Sequence, residues 1–167
     1  MNDIEFVYLD NCYVKRTEGL AKYKKITLND LLEILEHNAF AEKIKKIREL
    51  KDNSAKDRLK KELACFTIHA TYNSEGATVP NGIISLDIDD LSSTDLEFFA
   101  REYEYDKKLL LAFRSVSGRG LRLLYLYNVK QIKLLDAYNL ALEHFYTFYD
   151  KDFKVKPCNT YDLMRLC

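Results

Sequence analysis

The chain has 167 residues, 47% hydrophobic and 31% charged, with only two prolines and five glycines, which suits a packed core and excludes a disordered chain. Twenty-six basic residues balance twenty-six acidic ones, so overall charge cannot hold a polyanion and any nucleic-acid contact has to come from a local patch. Cys12, Cys65, Cys158 and Cys167 are scattered, with no C-x-x-C pair, which argues against a zinc site or a disulfide framework.

Along the chain, "IEFVYLD" has strand composition. "TLNDLLEILEHN" opens a helix with Thr27 as N-cap and Asp30 three residues on. "AEKIKKIRELK" reads as a second amphipathic helix with Ile44, Ile47 and Leu50 inward, and "SAKDRLKKEL" as a third capped by Ser54. "ACFTIHATY" has strand character and "NSEGATVPNG" reads as a loop. A strand over Ile83 to Asp89 leads into the capped helix "SSTDLEFFAREYEYD". "LLLAFR" and "LRLLYLY" are strands joined by "SVSGRG", and "KQIKLLDAYNLALEHFYTFYD" spaces its apolar residues by three or four, as a long helix does.

Helices and strands therefore intermix, and the expected fold class is α+β, a mixed or antiparallel sheet flanked by helices. We expect a single domain over residues 1–167, with a mostly helical part at 1–64 and an α+β core at 65–167. No apolar run approaches the ~20 residues of a membrane span, and "MNDIEFVYLDN" lacks a signal peptide's apolar centre. The expectation is a cytoplasmic protein without membrane contact. The last residues, "DLMRLC", stop within a pattern, as in the N-terminal fragment of a longer protein.

Two segments carry chemistry. In "NGIISLDIDDLSS" strand alternation sends Ser85, Asp87 and Asp89 to one face, and Ile84, Leu86 and Ile88 to the other. Alternate residues lie ~6.5 Å apart along a strand, so Asp87 and Asp89 can converge on a divalent cation, whose charge offsets their repulsion. The other reading is that Asp89 and Asp90 merely lead into the next helix in solvent; Asp90 is out of phase with the pair. In "FRSVSGRGLRLLYLY", Gly118 and Gly120 permit a backbone nest of N–H groups, and Arg119 and Arg122 supply planar donors for phosphate oxygens. The alternative is a tight hairpin turn whose glycines only satisfy geometry. His37, His69 and His144 have no nucleophile at informative spacing and read as structural.

Those two motifs, in the order "AEKIKKIRELKDNSAKDRLKKELACFTIHATY", "GIISLDIDDL", "AFRSVSGRGLRLLYLY" and "FKVKPCNTYDLMRL", resemble the N-terminal domain of virulence-associated E-type proteins of phages, plasmids and integrated elements. That group resembles the primase–polymerase (archaeo-eukaryotic primase) superfamily. The resemblance covers residues from about 40 to 167 and implies a primase–polymerase-like, RRM-like core in a mobile-element replication protein. It implies binding of DNA and of NTP or dNTP, with a helicase domain further along the same protein. Asp87 and Asp89 match the acidic pair that would bind Mg²⁺ or Mn²⁺ and carry nucleotidyl transfer. Ser115, Ser117, Gly118 and Gly120 match the triphosphate loop, and Arg165 an arginine of the closing motif. Arg122 stands where many relatives have histidine, and Lys156 where relatives carry a third acid; Asp150, Asp152 and Asp162 are out of register with it. Ala64 and Ala70 replace a proline and a glycine. The lysine leaves two implied functions, a nucleotidyltransferase or a silent nucleotide- and DNA-binding module that positions a helicase.

Overall fold

A computed structural model describes residues 4–11, 23–37, 40–157 and the backbone of Leu163–Arg165. Cys12, Cys158, Cys167, Asp162 and the Arg165 side chain lie outside the described residues. The architecture is α+β, with small antiparallel sheets and five α-helices among the described residues. The chain forms two compact units, Met1–Asn81 with Tyr161–Cys167, and Gly82–Thr160. No helix among the described residues is long and apolar enough to cross a membrane.

In the first unit, strands β1 (Glu5–Leu9), β2 (Lys24–Thr27), β3 (Cys65–Thr67) and β9 (Leu163–Arg165) form an antiparallel sheet in the order β2-β1-β3-β9. Phe6 and Phe66, both fully buried, meet edge to face at 5.7 Å in its core. Helix α1 (Leu28–Glu36) begins as its sequence dictates: Asp30 N–H donates to the Thr27 hydroxyl, and Thr27 N–H to the Asp30 carboxylate. Helix α2 (Ala41–Glu49) buries Ile44 and Ile47, whereas Leu50 falls at its C-cap.

Two local expectations need correction. Helix α3 (Asn53–Lys61) is capped by Asp52 rather than Ser54, because the Asp52 carboxylate accepts from the N–H groups of both Ser54 and Ala55. "ACFTIHATY" is not one strand: β3 ends at Thr67, and β4 (Ala70–Tyr72) pairs with β5 (Thr78–Pro80), cut from the stretch expected to be loop. Asn73 explains the turn between them, its side chain accepting from Glu75 and Ala77 N–H.

The second unit begins with β6 (Ile83–Ile88), then α4 (Ser93–Glu102), β7 (Leu109–Arg114), β8 (Leu121–Leu126) and α5 (Leu134–Tyr149). β8 pairs antiparallel with both β6 and β7, so it lies between two strands that α4 joins. After α5 the chain returns to the free side of β6, where Val155 forms an antiparallel bridge to Ile88. The chain order is thus β-α-β-β-α, closed by a one-residue bridge, and across the sheet that edge is followed by β6, β8 and β7.

The sequence pattern explains this core. Ile84, Leu86 and Ile88 of β6 join Leu123 and Tyr125 of β8 in packing on Phe99 of α4 and on Ala137, Tyr138, Ala141, Phe145 and Tyr149 of α5. Helix α4 starts at Ser92, whose hydroxyl accepts from Asp95 N–H while its own N–H donates to Asp95. The Ser92 hydroxyl and N–H hold the Asp95 carboxyl below the usual aspartate value. Asp90 turns the chain from β6 towards α4 with a left-handed backbone, φ 57°, which aspartate tolerates better than most residues.

Candidate functional site

Strand register builds the site. Asp87 on β6 pairs with Arg122 on β8, which in turn pairs with Phe113 on β7. On the other side of β6, Lys156 N–H donates to Asp87 O at 2.8 Å, next to the Val155–Ile88 bridge. One row across the sheet therefore reads Lys156, Asp87, Arg122, Phe113. Phe153 and Val155 pack against the core, and this inward alternation leaves Lys156 on the face of Asp87 and Asp89.

The side chains form a charge cluster. Lys156 Nζ lies 3.3 Å from Asp87 Oδ2 and 2.5 Å from Asp89 Oδ2. Arg122 Nη2 lies 3.2 Å from the same Asp87 Oδ2. Asp87 Oδ1 is buried with no hydrogen-bond partner among the described residues. The Lys156 ammonium is held above the ordinary lysine value, first by its hydrogen bond to Asp89; burial opposes this, and the charge of Asp87 adds to it.

The glycine turn sits against the acidic strand end. Leu91 N–H donates to Arg119 O at 2.9 Å, tying the turn to the corner after β6. A Cβ on Gly120 would stand 2.7 Å from Ile88 O, 2.9 Å from Asp89 Oδ1 and 3.0 Å from Ser115 Oγ. Only glycine allows that approach, and a fixed backbone oxygen cannot give way. Gly120→Ala is therefore expected to cost about 1–3 kcal/mol and to push the turn away from the acids, read by urea unfolding against the parent protein.

Within the turn, Ser115 N–H donates to Gly120 O, and Gly118, with φ 78°, donates its N–H to Ser115 O. The Gly118 N–H is thus engaged in closing the hairpin, and the backbone cradle is smaller than glycine spacing suggests. Ser115 and Ser117 hydroxyls are 3.0 Å apart, the first buried and the second exposed. Arg114 Nε donates to Gly118 O at 2.7 Å and braces the turn. Arg119 is largely exposed, 3.6 Å from the still more exposed Asp90.

The unit Gly82–Thr160 thus brings together Asp87, Asp89, Ser115, Ser117, Gly118, Arg119, Gly120 and Arg122. The Arg165 backbone pairs with Cys65 in the other unit, and its side chain lies outside the described residues. Sequence reasoning missed the pairing of Lys156 with both acids, the bracing by Arg114, and the bond from the Tyr138 hydroxyl to Lys156 O at 2.6 Å. The signal for Lys156 was there: "FKVK" alternates apolar and basic residues as an edge strand does.

A divalent cation of the Mg²⁺ or Mn²⁺ kind was the expected partner of the acids. Such an ion needs several oxygen donors, and among the described residues no group of three or more His, Cys, Asp and Glu side chains is placed to hold a metal. The place where it would bridge Asp87 and Asp89 is taken by the lysine ammonium, with Arg122 alongside. The residues as arranged do not fit a resident divalent ion. Arg122, Lys156 and Arg119 lie by the acidic strand end and the turn, each already paired with a carboxylate: Asp87, Asp87 with Asp89, and Asp90 respectively.

Fold and site together define an α+β domain whose acidic strand end is neutralised internally and faces a serine–glycine–arginine turn. The chain belongs to the BT4734-like, N-terminal domain family, whose model matches residues 58–157 and so takes in every site residue except Arg165. No curated protein and no solved structure matches the chain.

Proposed function

We propose that this chain is a primase–polymerase-like domain of a mobile-element replication protein, working as a phosphate-recognising module for nucleotide and DNA rather than as a nucleotidyltransferase. Its setting is the cytoplasm, ahead of a helicase domain in the same protein. The chain order β-α-β-β-α-β of the second unit, with β8 between β6 and β7, is the ferredoxin-like arrangement that RRM-type cores share, and this supports the kinship. Kinship alone does not decide activity.

The observation that carries the silent reading is the contact of Lys156 with both Asp87 and Asp89. Metal-dependent nucleotidyl transfer uses carboxylate-held ions to activate the attacking oxygen and to stabilise the leaving one. Here the carboxylates hold a lysine, and the chemistry left to the site is electrostatic. Phosphate oxygens compete with Asp90, Asp87 and Asp89 for Arg119, Arg122 and Lys156, the Ser115 and Ser117 hydroxyls donate to them, and the Gly120 approach keeps the two halves in contact.

Fluorescence anisotropy with a labelled single-stranded oligonucleotide, and calorimetry with a nucleoside triphosphate, test this in EDTA. Binding is expected at low salt, weakening as salt rises. Arg122→Ala is expected to lower triphosphate affinity about tenfold, the size of one charge-assisted contact. No extension product is expected with template, NTPs or dNTPs and Mn²⁺. An Asp87-dependent product would make the domain an enzyme, and failure to bind either ligand at low salt would overturn the proposal.

A further inference from the structure

We propose that Lys156 is the resident cation of the Asp87–Asp89 pair: its ammonium stands where a divalent metal would bridge them, and this one side chain bars the metal from the site. Phosphate recognition without metal rests on the function proposed above; exclusion of the metal rests on the geometry alone.

Charge balance is the first support. Two carboxylates face two cations, Lys156 and Arg122, so the cluster is neutral without an added ion. Anchoring is the second. The Lys156 backbone is fixed, so its half-exposed side chain starts from a set position beside the acids: its N–H donates to Asp87 O, its carbonyl accepts from the Tyr138 hydroxyl, and the preceding Val155 bridges to Ile88. The two cations engage one side of the Asp87 carboxylate: both meet its Oδ2, while Oδ1 is buried without a donor among the described residues.

The register makes the inference sharp. Lys156 stands opposite Asp87 across an antiparallel pair, where Cβ atoms lie about 4.5–5.5 Å apart, close enough for carboxylates on both strands to reach one ion. Lys156→Asp would then replace the barrier by a third carboxylate, already in register with Asp87 and Asp89. Affinity for hard cations rises with the number of charged ligands.

The test uses Mn²⁺ alone, with the 167-residue chain and no nucleotide, followed by loss of the free-ion electron paramagnetic resonance signal. The parent protein is expected to leave that signal unchanged. Lys156→Asp is expected to take up one Mn²⁺ per chain at least about tenfold more tightly, and adding Asp87→Asn is expected to abolish the gain. Lys156→Gln, neutral and close in size, is expected to bind weakly but measurably, and it decides the matter if circular dichroism shows that Lys156→Asp does not fold. Asp87-dependent binding by the parent protein as tight as that of the variants would overturn the inference, as would folded variants that gain nothing. Inorganic tripolyphosphate titrated into the parent protein in EDTA separates the two halves: no binding there overturns the phosphate reading and leaves the Mn²⁺ result standing.

Discussion

Replacing Asp106 with alanine is expected to cost the protein about 3–5 kcal/mol, because it removes one partner from a buried charged network and strands the others. Asp106 follows the 3-10 turn at Tyr103–Tyr105, and its side chain has no solvent exposure. Its Oδ1 accepts from Lys108 N–H at 3.0 Å and lies 2.8 Å from His144 Nε2. Its Oδ2 accepts from the Tyr125 hydroxyl at 3.1 Å and the Tyr149 hydroxyl at 3.4 Å. One carboxylate therefore joins the start of β7, the C-terminal end of β8 and two turns of α5. Burial first, then the charge of Asp106, pushes both phenols well above the ordinary tyrosine value, so they stay protonated donors. Urea unfolding of Asp106→Ala measures the effect. Asp106→Asn, which keeps one acceptor oxygen, is expected to fall between parent and alanine, and a loss below about 1 kcal/mol in the alanine variant would mean that the network adds little beyond one ordinary hydrogen bond.

The second large effect is expected at Phe99. It is 1% exposed and sits at the middle of an aromatic cluster: Phe145 is stacked at 6.1 Å, Tyr149 is tilted at 5.1 Å and Phe153 lies at 4.9 Å. Phe99→Ala leaves a cavity between α4 and α5, at about 3–5 kcal/mol. The consequence reaches the site through Phe153, two residues before Val155 and three before Lys156. With Phe153 loosened, the Val155–Ile88 bridge weakens and Lys156 loses its hold on Asp87 and Asp89. Amide hydrogen exchange at Lys156, whose N–H is bonded to Asp87 O, is expected to speed up more than exchange in β8. Equal acceleration in both would show that the aromatic cluster does not position the lysine in particular. Because Tyr149 touches both Phe99 and Asp106, the two substitutions are not expected to add.

Much of the second unit was legible in the sequence for physical reasons. β6 announces itself by alternation towards its acidic end, β8 by an apolar run after the glycine turn, α4 by its Ser92–Asp95 capping box, and α5 by apolar residues spaced along one stripe, although α5 begins only at Leu134. The contact between the acidic strand end and the glycine turn was foreseeable once the two strands were paired, since Asp87 opposite Arg122 brings Ile88 opposite Leu121 and the turn just beyond. Other features turn on partners far apart in the chain. Asp106 looked like a helix-end residue, and its partners His144 and Tyr149 lie 38 and 43 positions away. The break at Ile68 and His69 was hidden because residues on both sides suit strands equally well; which sheet each joins is settled by pairing, not propensity. Lys156 read as a defect in an acidic pattern, and its role as a counter-ion emerged only when Val155 was found bridged to Ile88.

The outer edge of the second unit's sheet has one further consequence. A segment joined to its neighbour by a single bridge would ordinarily fray with ease. Here fraying would also strip two carboxylates of their ammonium and leave them facing each other, with Arg122 still on Asp87. Electrostatics therefore does for this margin what a longer hydrogen-bonded ladder does elsewhere, and its grip loosens as ionic strength climbs.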